Sequence, residues 1–273
     1  MHSIGWHWAA SGAVSSPYLT THTIFPHKAD DDTLAGEGSP AGAARFGRQG
    51  RLCRVGSNDM LKVWGRKTSI NVQKAMFAVG DLGLEHQRFD FGGPFGGLDT
   101  PEYGLLNPNR LVPTIDDNGF VLWESNAIVR HLAQRYGRGT LSPADELTFA
   151  RADAWMDWSL TTIYSDIILT CFLQLIRTPA RERNVAQVEA AARRVGDKLM
   201  ILDQQLAGRS YIVGEQLTIA DIAVGTLMYR YFNLPVPRPA LVNVETWYGR
   251  LMQRPAYREH VMIEFQSMKV EGA

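Results

Sequence analysis

The stretch Val-Pro-Thr-Ile-Asp-Asp-Asn-Gly-Phe-Val-Leu-Trp-Glu-Ser-Asn-Ala-Ile, residues 112–128, decides the fold. Two apolar runs, Val112–Ile115 and Phe120–Trp123, flank the tetrad Asp-Asp-Asn-Gly. An Asn-Gly pair supplies the positive φ angles of a tight turn, so the stretch predicts two antiparallel strands joined as a hairpin. Apolar residues then recur at helical spacing, which predicts a helix directly after the second strand. Glu124 and Ser125 therefore lie where a strand meets a helix.

The chain before the hairpin alternates between strand and helix patterns, and the complete first part reads β-α-β-α-β-β-α. The first β-α-β half requires a parallel crossover connection, whereas the second half is an antiparallel hairpin. Besides the hairpin, the predicted elements are strand Leu61–Trp64, helix Ser69–Leu82, strand Glu85–Phe89, a short helix Pro101–Leu106 and helix Ala127–Tyr136.

Only helical patterns follow, so a small α/β domain at residues 60–137 is expected to precede an all-helical domain at residues 143–265. The segment Thr218–Phe232 is nearly all apolar and should be buried. The predicted helices are Pro143–Ile176, Arg181–Leu206, Thr218–Phe232, Val244–Met252 and one after Pro255.

Residues 1–59 differ from the rest of the chain, because they are rich in Gly, Ala, Ser and Pro and have no apolar periodicity. Such a composition predicts a disordered extension rather than a folded arm. A second interpretation is an upstream segment translated ahead of a true start at Met60. The four histidines of this extension have no ligand spacing, so no metal site is predicted.

Composition excludes several classes of function. Lys plus Arg and Asp plus Glu both number 28, so no charge excess favours nucleic acid. No apolar run approaches the length of a membrane span, and the first residues do not resemble a signal peptide. Cys53 and Cys171 are far apart and form no paired motif, which favours a reducing, cytoplasmic location.

Three segments of the first part carry polar groups that could meet in space. Thr68 and Ser69 open the first helix, where one hydroxyl would suffice as a cap and the other is spare. Val112 and Pro113 begin a strand. Glu124 and Ser125 precede a helix whose N-terminus can hold an anion, although on this segment alone plain capping is the favoured explanation.

The order and spacing of these segments resemble the glutathione S-transferase family. The resemblance runs from about Met60 to the C-terminus and rests on Val-Pro-Thr-Ile followed by Trp-Glu-Ser-Asn-Ala-Ile. Leu-Thr-Ile-Ala-Asp-Ile-Ala, residues 217–223, resembles the family's buried capping box, in which Asp221 bonds back to Thr218. The resemblance implies a thioredoxin-like glutathione-binding domain, an all-helical second domain, a homodimer, and glutathione as co-substrate without a metal.

The same resemblance implies roles for the glutathione-binding residues. Val112, before a cis-Pro113, would pair its backbone with the cysteinyl part of glutathione. Glu124 would contact the γ-glutamyl ammonium, and Ser125 the γ-glutamyl carboxylate. The family usually has Gly and then a basic residue between Pro108 and Val112, whereas this chain has Asn-Arg-Leu. Either a basic contact is lost or Arg110, followed by Leu111, replaces it.

The turn before the first helix supplies the group that contacts the glutathione sulfur in this family. The candidates are Ser69, Thr68 and Asn71, because neither Tyr nor Cys lies between Met60 and Phe77. Serine-type members place their serine two residues before a proline; Asn71 stands in that proline's position, which favours Ser69. A hydroxyl that donates a hydrogen bond there would lower the pKa of the thiol.

The expected reaction is attack of the glutathione thiolate on a small apolar electrophile. Arg66 and Lys67 would add positive potential if they are not simply solvated. A glutathione-dependent disulfide reductase or peroxidase is the alternative enzyme, and a glutathione-binding module without activity is the alternative outside catalysis. Aromatic side chains of the second domain either line an electrophile pocket or serve core and dimer packing; they are Trp155, Trp158, Tyr164 and Phe172.

Overall fold

A computed structural model describes residues 60–270, and its first part is a four-stranded mixed sheet of order β2-β1-β3-β4. β1 and β2 are parallel, whereas β3 is antiparallel to both β1 and β4. The predicted order β-α-β-α-β-β-α and its parallel crossover are therefore confirmed. The strands are β1 Leu61–Trp64, β2 His86–Phe89, β3 Thr114–Asp117 and β4 Phe120–Trp123; the helices are α1 Ile70–Asp81, α2 Pro101–Leu106 and α3 Ser125–Tyr136.

The hairpin forms as its turn chemistry predicts. Asn118 and Gly119 have φ angles of 57° and 86°, and Asp116 Oδ1 accepts the Gly119 N–H at 2.6 Å. The sequence places the start of β3 two residues too early, at Val112. Proline has no N–H to donate to a ladder, so pairing begins only after Pro113.

The second part is helical, as predicted, but its long first helix is not uniform. α4 ends at Trp158, and the chain continues in wider π-helical turns over Ser159–Ile163 and Ser165–Arg177. The predicted single helix from Pro143 is wrong in this respect, because apolar spacing does not distinguish neighbouring helical pitches. The remaining bounds are α4 Glu146–Trp158, α5 Val185–Leu206, α6 Ile219–Asn233, α7 Val242–Gln253 and α8 Pro255–His260.

α1 joins the two parts, because it packs against α3 on one side and against α6 and α8 on the other. Phe77 meets Tyr257 edge to face with ring centres 5.2 Å apart, and Arg254 Nη2 lies 2.5 Å from Asp81 Oδ1. The side chains of α1 from Val72 to Val79 are buried. The N-terminus of α1 is therefore held in place by packing against both the sheet part and the helical part.

The predicted capping box of α6 is present and buried. Asp221 Oδ2 accepts the Thr218 N–H at 2.9 Å and its hydroxyl at 3.1 Å. Asp221 Oδ1 accepts the Ile212 N–H at 3.0 Å and the Trp247 Nε1–H at 2.9 Å. This carboxylate thus ties the start of α6 to α7 and to the preceding loop.

Several sequence predictions stay predictions. The domain limits 60–137 and 143–265 are among them, although the fold class itself is confirmed. The predicted extension, residues 1–59, lies outside the described residues. Within residues 60–270, no single helix has the length and apolar composition of a membrane span, although α4 with its π-helical continuation passes as a pair bent by 44°. In the same range no cluster of His, Cys, Asp or Glu is arranged to hold a metal ion.

Candidate functional site

The turn between β1 and α1 brings its polar groups to the helix N-terminus. Ser69 occupies the N-cap position with extended φ and ψ angles of −78° and 124°, but its hydroxyl makes no capping bond. The expectation that one hydroxyl caps α1 is therefore wrong for Ser69. The turn is closed by its backbone, since the Ser69 N–H donates to the Arg66 carbonyl at 3.1 Å. Neither the Ser69 nor the Thr68 hydroxyl has a hydrogen-bond partner within residues 60–270.

Gly65 allows this turn to lie close to α1. Its φ angle is 150°, and a Cβ atom there would lie 2.4 Å from a methyl group of Val72 and 3.2 Å from Cβ of Val112. Only glycine fits such a position. The hydroxyl-bearing turn and the strand that begins after Pro113 are therefore brought side by side.

The second segment has the backbone arrangement that the family resemblance implies. The Val112–Pro113 peptide is cis. Among the described residues, the N–H and C=O of Val112 have no hydrogen-bond partner, so both are available to an extended ligand. The neighbouring Leu111 carbonyl, in contrast, accepts from the Tyr103 hydroxyl at 2.7 Å and from Asn107 Nδ2 at 2.9 Å.

The side chain of Arg110, which is partly exposed, is bound by backbone carbonyls. Its Nη1 donates to the carbonyls of Leu98 and Thr100, both at 2.9 Å, and its guanidinium packs over Gly104. These contacts brace the loop before α2. The predicted contact of Arg110 and Leu111 with glutathione stays a prediction.

The third segment presents a free carboxylate and a buried hydroxyl. Glu124 has a positive φ of 70°, is exposed, and makes no capping bond with its side chain. Plain capping, the alternative for this segment, is therefore wrong. Within the described part of the chain, the N–H groups of Ser125, Asn126 and Ala127 at the positive end of α3 have no hydrogen-bond partner. Ser125, the first residue of α3, is itself buried, with 5% of its surface exposed.

A buried lysine that the sequence did not single out lies under Ser125. Lys74 of α1 is 1% exposed, and its Nζ donates to Asn126 Oδ1 at 2.8 Å and to Ser125 Oγ at 3.3 Å. Burial lowers the pKa of this ammonium to about 7, while the charge of Glu124 opposes the shift and that of Arg130 adds to it. Near neutral pH the site therefore holds a partly protonated amine below the end of α3.

Asn71 belongs to this same network rather than standing alone at the turn. Its Oδ1 accepts from the Ser125 hydroxyl at 3.4 Å. Burial raises the pKa of the neighbouring Tyr164 phenol, and the side chain of Asn71 opposes this shift. Of the three candidate sulfur contacts, Asn71 is thus engaged with Ser125, whereas Ser69 and Thr68 have free hydroxyls.

The helical part contributes a buried arginine to the turn. Arg230 of α6 donates from Nη2 to the Thr68 carbonyl at 2.7 Å, and its guanidinium carbon lies 4.1 Å from the ring centre of Phe172. Burial lowers its pKa to about 10; the Tyr164 phenol opposes the shift, and repulsion from Arg66 adds to it. Aromatic contact of this kind favours a cation.

The aromatic residues predicted to line an electrophile pocket divide into two groups. Phe172 and Tyr164 lie near the turn, through Arg230 and Asn71 respectively. Trp155 and Trp158 form their own edge-to-face pair on α4, with ring centres 4.9 Å apart. Cys171 is buried, and burial raises the pKa of its thiol to about 11, which agrees with its interpretation as a small apolar residue.

Sequence reasoning missed Lys74 and Arg230, although both leave a signal. Each is a charged residue on a helix face whose neighbours are apolar: Lys74 precedes Ala75-Met76-Phe77, and Arg230 lies within the apolar segment Thr218–Phe232. Such residues are rarely buried without a partner. Their positions predict burial, but not which groups they contact.

The fold and the site place the chain among proteins in which a thioredoxin-like sheet domain is followed by a helical domain. Open backbone groups, a carboxylate and a helix N-terminus line up along the sheet domain. Two family models match the chain, glutathione S-transferase N-terminal domain at residues 68–135 and glutathione S-transferase C-terminal domain at residues 160–255.

Known glutathione S-transferases are similar to this chain in sequence and in structure. Glutathione S-transferase GstB of Escherichia coli strain K12 is 36% identical over 209 residues, which cover 75% of this chain and 99% of the relative. The crystal structure of the theta class glutathione S-transferase from Xanthomonas axonopodis pv. citri with glutathione bound has a TM-score of 0.71 and 40% identity, covering 76% of this chain and 99% of that one. The chain belongs to the glutathione S-transferase family, which confirms the resemblance found in its sequence.

Proposed function

We propose that this protein is a glutathione transferase of the serine type, which activates the thiol of glutathione for attack on an electrophile with an apolar body. The named activity of its relatives supports this, as does the theta class structure with glutathione bound. Glutathione is a co-substrate in this proposal, and no metal takes part.

Glutathione would lie along three segments of the sheet domain. Its cysteinyl backbone would pair with the free N–H and C=O of Val112. Its γ-glutamyl ammonium would contact the exposed carboxylate of Glu124, because opposite charges form the stronger hydrogen bonds. Its γ-glutamyl carboxylate would accept from the N–H of Ser125 at the positive end of α3. The Ser125 hydroxyl would turn from Asn71 Oδ1, to which it donates at 3.4 Å, toward this carboxylate, with the ammonium of Lys74 below.

The observation that carries the proposal is the unpaired hydroxyl of Ser69 at the N-terminus of α1. Asn71 is oriented toward Ser125, from whose hydroxyl its Oδ1 accepts at 3.4 Å, and this bond leaves its Nδ2 donors free. Ser69 is free, partly exposed, and close to the positive end of a buried helix. A hydrogen bond together with a helix N-terminus stabilises a thiolate and lowers its pKa. Thr68 is the second candidate, because its hydroxyl is also free.

The reaction with an aryl halide would proceed by displacement. The glutathione thiol first loses its proton to solvent, helped by the hydrogen bond from Ser69. The thiolate sulfur then forms a C–S bond to the ring carbon, and the C–halogen bond breaks so that halide leaves with its electron pair. Ser69 donates a hydrogen bond throughout and never becomes a nucleophile.

A titration of bound glutathione tests the role of Ser69. The ultraviolet absorbance of the thiolate is followed against pH in the wild type, in Ser69→Ala, and in Thr68→Val. Ser210→Ala, in the loop between α5 and α6, is the matched control. We expect a wild-type midpoint well below the free value of about 8.5, shifted back toward it only in Ser69→Ala. A midpoint that Ser69→Ala leaves in place would assign the contact elsewhere.

Parallel assays separate the three functions that fit the fold. A transferase conjugates an aryl halide, a reductase consumes a glutathione mixed disulfide, and a binding module does neither although it retains glutathione affinity.

The proposal includes a cytoplasmic homodimer. Large apolar side chains exposed on the sheet domain support a subunit contact there, since Phe95 is 56%, Leu105 88% and Leu111 61% exposed. Sedimentation of the wild type against Leu105→Glu tests this: a dimer that dissociates in the variant supports the contact, and a monomeric wild type contradicts it.

A further inference from the structure

Two carbonyls of the turn before α1 are held by side chains. The Lys67 carbonyl accepts from Gln73 Nε2 at 3.0 Å, and the Thr68 carbonyl accepts from Arg230 Nη2 at 2.7 Å. Gln73 is part of α1 itself, whereas Arg230 belongs to α6 and lies 162 positions from Thr68 along the chain. Arg230 therefore ties the helical part of the protein to this turn.

The bond from Arg230 fixes the peptide group that leads into Ser69. The Thr68 carbonyl and the Ser69 N–H belong to one planar peptide group. Arg230 binds its oxygen, and the Arg66 carbonyl accepts its N–H at 3.1 Å. Because this peptide group is bonded on both sides, the direction in which the Ser69 side chain leaves the main chain is fixed as well.

Arg230 is buried against an aromatic ring. It is 4% exposed, and its guanidinium carbon lies 4.1 Å from the ring centre of Phe172. Burial lowers its pKa only to about 10, so the guanidinium remains a cation near neutral pH. Two ionisable groups act on it, Arg66 of the turn by repulsion and the phenol of Tyr164 by attraction.

This buried cation has no carboxylate partner. Within residues 60–270, no Asp or Glu forms an ion pair with Arg230. Charged side chains are rarely buried unless they are paired, because desolvation is costly. Standard bond lengths place its Nη2 at most about 8 Å from Ser69 Oγ, the atom that would donate to the glutathione sulfur. A thiolate bound there would supply one negative charge close to this positive one.

We propose that Arg230 is a positioning residue for thiolate formation: through the Thr68 carbonyl it holds Ser69 toward the glutathione sulfur, and its charge stabilises the thiolate. This inference rests on the proposed transferase function and adds a residue of the helical part to it. A fixed cation near a developing negative charge stabilises that charge without rearrangement. At about 8–10 Å, with an effective dielectric constant of about 20, one such charge lowers the pKa of a thiol by roughly one unit.

The thiolate absorbance of bound glutathione tests this role in the full-length protein. Arg230→Gln removes the charge but keeps an amide donor, and its midpoint should rise by about one unit, whereas Arg230→Lys keeps the charge and should stay closer to the wild type. Arg238→Gln is the matched control. Arg238 also binds carbonyls, those of Tyr231 at 3.2 Å and Leu234 at 2.8 Å, so its replacement should leave the midpoint in place.

Rates with a slow aryl halide give a second measure. At saturating glutathione, kcat of Arg230→Gln should be about tenfold below that of the wild type near pH 6 and nearly equal to it near pH 9, where the thiol ionises without help. The KM for the aryl halide should stay within a factor of about two. Loss of packing alone would lower the rate at every pH alike, and circular dichroism checks the fold of each variant.

The outcomes separate this inference from the proposed function. If the wild-type midpoint lies near that of free glutathione, the proposed thiolate activation fails and the inference fails with it. If Ser69→Ala raises a depressed midpoint but neither Arg230→Gln nor Arg230→Lys moves it by more than about 0.3 units, only the inference on Arg230 is overturned. A rise as large in Arg230→Lys as in Arg230→Gln would contradict the role of the charge.

A measurement on the wild type decides the question if Arg230→Gln does not fold. The nuclear magnetic resonance signal of the Arg230 guanidinium is assigned by its absence from Arg230→Lys. It should shift with the same midpoint as the thiolate absorbance, and should not shift over this range when S-methylglutathione is bound, because that ligand has no thiol to ionise. A signal that does not respond to the thiolate overturns the inference.

Discussion

Replacing Lys74 by methionine should make the protein more stable and its glutathione site weaker. The ammonium is fully buried beneath Ser125, and burial lowers its pKa from 10.5 to about 7. The unfolded chain therefore binds more protons than the folded one between these two values. Stability due to this group is lowest below pH 7 and rises as the pH climbs toward 10.5, by about 1.4 kcal/mol per unit within the window.

The structure sets the size of the effect. Burying Lys74 costs about 4–5 kcal/mol near pH 6.5, where the folded chain holds it largely protonated, and about 2 kcal/mol near pH 9, where the fold holds it neutral and the unfolded chain holds it protonated. Methionine removes this cost, but leaves Asn126 Oδ1 without its donor at about 1–3 kcal/mol. Lys74→Met should therefore be about 2–3 kcal/mol more stable than the wild type near pH 6.5, with little advantage near pH 9.

Urea unfolding of both proteins at the two pH values measures this difference. The decisive quantity is the change in the stability gap between them, about 2–3 kcal/mol over the interval. A gap that changes by less than about 1 kcal/mol would refute the argument that burial displaces this pKa. Glutathione affinity near pH 6.5 should fall about tenfold in the variant, because the cation beneath the carboxylate subsite is lost. Arg193→Met, exposed on α5, should change neither quantity.

Three further predictions concern groups away from the turn. In Asp221→Asn, an amide NH2 replaces one carboxylate oxygen and faces two of the four donors that the carboxylate accepts from. The free energy of unfolding in urea should fall by about 2–4 kcal/mol, and a fall below about 1 kcal/mol would contradict the buried network. Asp81→Asn breaks a partly exposed ion pair with Arg254 and should cost about 1 kcal/mol, less in high salt; a loss that salt does not reduce would argue against the pair. In a Cys53→Ser background, the Cys171 thiol should resist a disulfide reagent at about pH 8 until urea is added; rapid reaction of the native protein would show that the thiol is accessible.

Local rules explain why the sequence predicted most of the elements. The Asn-Gly turn, the period-two strands and the apolar spacing of α1 depend on residues a few positions apart, and each appears in the structure within a few residues of its expected bounds. The capping box at Thr218 and Asp221 is equally local. The start of β3 and the pitch of the chain after Trp158 were not predicted correctly, since ladder pairing and packing decide them.

The candidate site shows the same division. The sequence predicted the site residues Ser69, Val112, Glu124 and Ser125, because their segments follow the order of a known family. It left Ser69, Thr68 and Asn71 as alternatives. Only the structure separates Asn71 from the other two, through a hydrogen bond to a residue 54 positions away. Contacts of this kind depend on how strands and helices stack, which no local pattern specifies.

By itself the sequence determined the family, the order of strands and helices, and the segments that form the site. Tertiary structure alone decided the surroundings of Lys74 and Arg230, whose partners Ser125 and Thr68 lie 51 and 162 positions away along the chain. The free energy of a charged group depends on the solvent and partners that the fold leaves it. Burial of these two cations is therefore a property of the folded molecule, and the burial of Lys74 is the cause of the pH dependence of stability predicted here.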